Sequence, residues 1–541
     1  MPDNEEIRKE KMRKKRRAER RRKERQRALV ARAVTLALLL VVLVAIIVVA
    51  IRISRKDTVP QDTVTDTVVT QAATPDTQNA QQNTQNTQST AETTAVPEQP
   101  QQTAEVPQPV VTVPTTKEEA LNLARFQAMQ YDYDKAIATI QAFGGYESDA
   151  DLMNEISSIT AQRDACTAVD VSRTPHVFFH SLINDSRGLI ASATCTEDRV
   201  SKNNKAMATV GEFNTMIQDM YEAGYVLISL DDLVVKTVND DGSVTVTKNT
   251  NLYLPADKKP LIMSEDDLSY YHAYGENGAQ GYADKLVLDE NGQVKCLFTD
   301  VDGVQKIGDY DMVPLIDTFI REHPDFSYRG AKPTVALTGY NGVFGYRTND
   351  YYKEGPDGAD LNQAQKNFLL EHPEYDYDTD CAEARKIAEA MKANGWTFAS
   401  HTYGHRNAAE SSAEALMNDH ERWKIAVEQI VGPTDKIIFA FGADIGPVNG
   451  YTENNEKFMY FKSQGFTIFC NVDGNIGWTE FGSNYVRTGR VALDGVSMYN
   501  AMTPGTPSHE TYAYDFEQLG IYDIASFFDP NRNTTYCLSE S

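Results

Sequence analysis

The stretch "GWTFASHTYGHRN", Gly395–Asn407, runs from a short strand-like segment into two histidines four residues apart, His401 and His405. Apolar, β-favouring residues stop where polar ones begin, which is how the strands of a parallel sheet deliver side chains to a binding face. Two imidazoles alone leave a catalytic cation short of protein ligands, of which it commonly takes three. The remainder of such a site has to come from other strand ends.

Working outward, the same unit recurs on both sides. Upstream lie "HVFFHSLI" from His176, a helix-period run from Val210, "YVLISL" from Tyr225, "KPLIMSEDD" from Lys259, "MVPLIDTFIREH" from Met312, "KPTVALTG" from Lys332 and a helix-period run from Cys381. Downstream follow another helical run from Ala413, "KIIFAFG" from Lys436, "NNEKFMYFKSQG" from Asn454 and "FTIFCNVDG" from Phe466. Strand–helix alternation predicts an α/β fold with a parallel sheet, and residues 169–541 are within the size of a (β/α) barrel carrying insertions. One insertion is expected around residues 270–310, with a hairpin at "LVLDENGQVKCLF", overhanging the site.

Polar residues stand at four of these strand ends: His180, the pair Asp266–Asp267, His401 with His405, and Asp444. One carboxylate and two imidazoles bind a divalent cation and leave positions open for water and substrate. His401 and His405 are expected on one turn of helix, where residues four apart share a face. Either aspartate of the pair serves as third ligand, the other then being free to take a proton from water. Each element also has a plainer reading: adjacent aspartates cap helices or fill turns, and a histidine between apolar residues is often core.

Before this region the chain changes character three times. Residues 1–27 hold 14 Lys or Arg against 6 Asp or Glu, and Ala33–Ile51 is apolar apart from Thr35. Nineteen helical residues rise about 28 Å, close to the ~30 Å hydrocarbon core. With Arg52, Arg55 and Lys56 following the apolar run directly, a retained anchor is expected over 29–52 rather than a cleaved signal. The basic arm 1–28 then faces the cytoplasm and the C-terminal domain lies outside the cell. Residues 53–116, rich in Thr, Gln and Pro, read as a disordered linker. Residues 117–168 read as a helical hairpin similar to one tetratricopeptide unit, broken at Gly144–Gly145 and docked on its neighbour. Residues 57–541 hold 34 basic and 71 acidic residues, which disfavours nucleic acid as a partner. The six cysteines have no CxxC spacing, so a thiolate metal site is not expected.

In "SEDDL" and "HTYGH" the chain resembles the polysaccharide deacetylases of the NodB-homology group, carbohydrate esterase family 4, over about residues 175–495. "HVFFHSL", "FNTMIQDMYEAGYVLISLDDL" and "KPLIMSEDD" are similar to the branch whose motif order is circularly permuted. The resemblance implies a distorted (β/α) barrel in which Asp266 is the general base, Asp267, His401 and His405 bind a divalent metal, and His180 is the general acid. It implies Zn²⁺ most often, with Co²⁺, Ni²⁺ or Mn²⁺ as alternatives, and an N-acetylated cell-surface or cell-wall polysaccharide as partner. The family's arginine motif is replaced by "FAFGADIG", leaving Arg347, Arg487 and Arg490 as candidates to hold the base; no C-terminal Leu-x-His is present. Tyr340, Arg347, Phe441 and Asp444 are the expected substrate-binding residues, and Tyr270, Tyr271, Tyr346 and Trp478 are further aromatics able to stack on sugar. The expected activity is a membrane-anchored, metal-dependent N-deacetylase, with a non-catalytic carbohydrate-binding protein or an O-acetyl esterase as alternatives.

Overall fold

The computed structural model describes residues 114–538 apart from 276, 447–448 and 473–474. The expected basic arm, membrane anchor and all but the last residues of the linker lie outside the described residues. No helix among the described residues is long and apolar enough to cross a membrane.

Seven parallel strands close into a barrel: β1 (His176–His180), β2 (Lys259–Asp266), β3 (Thr334–Leu337), β4 (Thr397–Ser400), β5 (Lys436–Ile438), β6 (Ile468–Val472) and β7 (Tyr485–Ala492). Each pairs with its successor in chain order, and β7 pairs with β1 to complete the ring. The (β/α) barrel expected from the strand–helix alternation is therefore present. Closure leaves no free edge on any of the seven strands. Helices Val210–Glu222, Met312–Glu322, Tyr377–Ala393, Ala413–Trp423 and Glu456–Ser463 connect the strands.

Period-two alternation divides the strand residues between two cores. Val177, Phe179, Leu261, Met263, Val335, Leu337 and Phe398 face outward into the cluster formed with the helices. Ile262, Ala336, Ala399, Ile438, Ile468, Cys470 and Val486 fill the barrel interior. Above that apolar floor the interior turns polar: His176, Ser264, Asp266 and Arg490 are all buried there.

The N-terminal bundle differs from the expected hairpin. It has three helices, α1 (Lys117–Met129), α2 (Tyr133–Gln141) and α3 (Ala150–Asp164). The first turn comes at Tyr131, held at φ 63°, and Gly144–Gly145 separates α2 from α3 instead. The bundle docks beneath the barrel: Tyr131 Oη donates to the Asp325 carbonyl at 2.8 Å, and Arg329 N donates to the Gln130 carbonyl at 2.7 Å. Its buried residues join the same core as the barrel interior.

The insertion is a three-stranded antiparallel sheet, Lys285–Leu288, Val294–Thr299 and Gln305–Gly308. This sheet does not overhang the strand ends as expected, whereas residues 271–282 ahead of it do border the rim, where Tyr271, Tyr274 and Tyr282 pack with Tyr340. Leu286, Val294 and Cys296 are buried in the outer core with helices Met312–Glu322 and Tyr377–Ala393, so apolar burial lays the sheet along the barrel wall. Its Gly292 turn shares a cleft with Gly395 and Lys332, at the opposite end of the barrel from the strand C-termini. All six cysteines are free thiols.

Candidate active site

Parallel pairing in register brings the strand ends to one rim. His180 lies opposite Asp266 across β1 and β2, and Ser400, just before His401, lies opposite Leu337 across β4 and β3. Asp267, His401 and His405 offer ligand atoms that all lie within 4.8 Å of one another. Asp267 Oδ1 is 3.9 Å from His401 Nε2, and Asp267 Oδ2 is 3.7 Å from His405 Nε2. Atoms bonded to one cation at about 2.0–2.2 Å stand no more than about 4.4 Å apart, so both separations suit a shared ion.

The donors are prepared for that role. His401 Nδ1 is 2.7 Å from the Ile438 carbonyl, which only accepts, so Nδ1 carries the hydrogen and Nε2 presents its lone pair. Burial holds His401 below the ordinary imidazole range, against the pull of Asp266 and Asp267, which keeps the ring neutral. Burial pushes the Asp267 carboxyl up, but His405 and His401 outweigh it and hold the group below the usual range. Tyr271 Oη donates to Asp267 Oδ1 at 2.5 Å and lies within hydrogen-bond reach of Thr338 Oγ1.

His401 and His405 do not share a helix, contrary to the sequence reading. A turn joins them, with Thr402 at φ 61° and His405 at φ 50°. Asp267 at φ 64° and Phe441 at φ 59° adopt the same disfavoured backbone. Left-handed conformations at non-glycine residues cost of order 1 kcal/mol or more each and persist where neighbouring contacts over-determine them. Here Asp419 supplies those contacts, accepting from Tyr403 N at 2.6 Å, Gly404 N at 3.0 Å and Arg406 Nε at 3.3 Å.

Asp266 sits beside the Asp267, His401 and His405 cluster without belonging to it: its Oδ2 is 3.9 Å from His401 Nε2, while Oδ1 accepts from Arg490 Nη1 at 2.7 Å. Burial raises this carboxyl, yet Arg490 foremost, with His401 and His180, brings it down to about 2. It is ionised throughout the neutral range. Arg490 is itself fixed by Ser264 Oγ at 3.3 Å and by the Phe178 ring, 4.1 Å from its guanidinium carbon. His176 Nε2 reaches the same Ser264 hydroxyl at 3.0 Å. His180 Nδ1 is 3.1 Å from the Ala206 carbonyl, so that nitrogen is protonated and Nε2 is left to exchange a proton.

Of the three candidate arginines, β7 brings Arg490 to Asp266. Arg487 pairs with Asp444 Oδ2 at 3.1 Å and Glu480 Oε2 at 2.7 Å. Arg347 is buried behind the rim, its Nη1 donating to the Tyr270 carbonyl at 3.0 Å and weakly to that of Asn341. Asp444 accepts from Arg487 and, at 2.5 Å, from Tyr451 Oη, so protein groups already engage both its oxygens. Tyr340 stacks on Tyr271 with ring centres 5.0 Å apart. Phe441 is 69 % exposed with its ring 4.4 Å from that of His405, an open apolar face beside the cluster. Sequence reasoning missed Asp419, Thr338, Ala206 and the interior partners His176 and Ser264. For the last two a signal existed, since they share strand parity with His180 and Asp266.

No family profile matches the chain, and no curated protein matches it. Among solved structures it is similar to a Streptococcus pyogenes deacetylase, PplD, in complex with acetate, at 13 % identity over 63 % of this chain and 100 % of that one, TM-score 0.30. It is also similar to BC0361, a polysaccharide deacetylase from Bacillus cereus, at 12 % identity over 60 % of this chain and 65 % of that one, TM-score 0.26. A third is the BpsB deacetylase domain from Bordetella bronchiseptica, at 11 % identity over 59 % of this chain and 97 % of that one, TM-score 0.27. Scores this low carry no weight beside the strand order and the geometry of the rim.

Proposed function

We propose that the protein is a metal-dependent deacetylase that hydrolyses N-acetyl groups of a cell-surface polysaccharide, held at the outer membrane face by its N-terminal segment. The observation that carries this reading is the pairing of a three-donor cluster, Asp267, His401 and His405, with a separate ionised carboxylate, Asp266, that Arg490 holds at 2.7 Å. Purely structural carboxylate–histidine clusters have no need of such a division of labour.

The donor set fits a divalent cation such as Zn²⁺: one carboxylate, two imidazoles and a His401 tautomer fixed for ligation. Bound there, the cation would supply Lewis-acid charge to the acyl oxygen and to water, a contribution of several kcal/mol. Asp266 accepts the proton of the attacking water, its charge kept available by Arg490. His180 delivers a proton from Nε2 to the departing amine, and positioned acids and bases of this kind contribute typically 10²- to 10⁴-fold each. Acetate and a free amino sugar result. Phe441 and Tyr340 give the sugar apolar faces at the rim.

A non-catalytic reading has two motives, the missing motif arginine and the altered flanks Ser264–Glu265 and Leu268 around the aspartate pair; Arg490 answers to the first. The O-acetyl esterase alternative differs only in the leaving group and is separated by substrate. Purified protein supplied with Zn²⁺ or Co²⁺ is expected to release acetate from N-acetylglucosamine oligomers or peptidoglycan, and Asp266→Asn and His401→Ala are expected to abolish this. Equal inertness of wild type and variants across N-acetyl and O-acetyl glycans at several metals would sink the proposal.

A further inference from the structure

We infer that Arg532, in the C-terminal tail, is a positioning residue for His180: it fastens the backbone turn whose carbonyl sets the tautomer of that ring. The chemical consequence rests on the deacetylase reading; the geometry does not. His180 depends on the Ala206 carbonyl, which lies at the end of helix Glu197–Ala206. Arg532 grips the two carbonyls that straddle it, Nη1 donating to Asn204 O at 2.9 Å and Nη2 to Met207 O at 2.6 Å.

The same guanidinium meets Glu212 face to face, Nε to Oε1 at 2.7 Å and Nη2 to Oε2 at 2.5 Å, with neither side chain exposed at all. Asn533 N adds a bond to Asn204 Oδ1 at 2.8 Å, and Cys537 Sγ lies 3.3 Å from the Asn204 carbonyl. Space is left for this arrangement by Gly495, where an added Cβ would fall 1.9 Å from Asn204 O and 2.6 Å from Arg532 Nη1.

A buried ion pair is weak as a source of stability, because desolvation offsets most of the attraction and apolar replacements often do as well. What an apolar pair cannot do is hold two backbone carbonyls in fixed relation on either side of a third. The turn over residues 204–207 is the point where the tail, helix Val210–Glu222 and the catalytic rim meet. With Arg532 in place, the His180 ring keeps hydrogen on Nδ1, so Nε2 is the nitrogen that takes up a proton from solvent and, as imidazolium, passes it to a leaving amine.

The test uses the full chain and the double variant Arg532→Met with Glu212→Gln, which removes both charges so that neither is stranded. Arg532→Lys, which keeps a charge opposite Glu212 but cannot span both carbonyls, serves if the double variant does not fold. Nitrogen NMR of protein labelled with ¹⁵N-histidine reads the tautomer directly: wild-type His180 is expected as a single Nδ1–H form, and the variants as a mixture. Hydrolysis of an N-acetyl sugar should fall by roughly tenfold or more, the scale of an impaired general acid, while an aryl acetate, whose phenolate leaves unprotonated, should change little. An unchanged His180 spectrum, or equal loss on both substrates, would overturn the inference. A wild type inert toward both substrates would instead fail the deacetylase reading, and the NMR comparison would still decide the role of Arg532.

Discussion

Replacing Arg490 by methionine removes the guanidinium hydrogen-bonded to Asp266 while keeping most of the volume against Phe178. The arginine and aspartate side chains are 1 % and 3 % exposed. Stripping one partner from a pair this deeply buried typically costs about 3–5 kcal/mol, because the other charge remains without compensation. At about 1.36 kcal/mol per pKa unit, that penalty corresponds to a rise of about 2–4 units. Asp266 should then titrate near pH 4–6 instead of about 2, and a base that is always ionised in the native protein should acquire an acid limb in its rate profile. Loss of alignment adds to this, so a fall in kcat of about 10²-fold or more is expected even at pH 8. Metal affinity should survive, since Arg490 makes no hydrogen bond to Asp267, His401 or His405. The assay is acetate release against pH, with equilibrium dialysis of Zn²⁺ on the same samples. A variant with kcat within twofold of wild type and no new acid limb would refute the assignment; parallel loss of metal would show that Arg490 supports the cluster rather than the base.

Tyr271→Phe deletes the hydrogen bond to Asp267 Oδ1 and should weaken metal binding by about 10- to 100-fold, measured by competition with a chromogenic chelator. Phe441→Ala removes the exposed face beside His405 and should raise KM for a glycan oligomer severalfold with little change in kcat, checked by steady-state kinetics on oligomers of increasing length. His420, buried among Trp423, Phe461 and Phe466 with Nδ1 unpartnered, is pushed down by burial to about 4. Because its folded value lies below the unfolded one, the stability it supports is present above pH 6.5 and is lost as pH falls toward 4, by about 3 kcal/mol in all. Denaturant unfolding at pH 7.5 and 4.5 should show that sensitivity diminished in His420→Leu.

Much of the barrel was legible because its strands obey two simple periodicities. "KPLIMSEDD" alternates faces and ends at a carboxylate, and "HVFFH" does the same at an imidazole, so strand identity and the location of the rim follow from local pattern. What was illegible depends on contacts distant in sequence. Nothing near Arg490 distinguishes it from Arg487, three residues earlier, until β7 is placed beside β1 and strand parity turns one inward and the other toward Glu480. Asp419 reads as one more charge on an amphipathic helix, yet it holds the turn that presents both histidines. The insertion misled because turn residues announce a hairpin but not the surface it packs on, and its alternating Leu286, Val294 and Cys296 found the helices.

The barrel closes by pairing its last strand with its first, and that places the partner of Asp266 late in the chain. During synthesis, every proposed metal ligand and the proposed base emerge before residue 406. Arg490 and Arg532 follow only as the final strand and tail appear. A chain cut short before β7 would carry the metal donors with neither the guanidinium for its base nor the clamp for its acid. On the proposed reading, the machinery for hydrolysis is assembled only once β7 and residue 532 have been made, and products truncated before β7 lack it whatever they manage to fold.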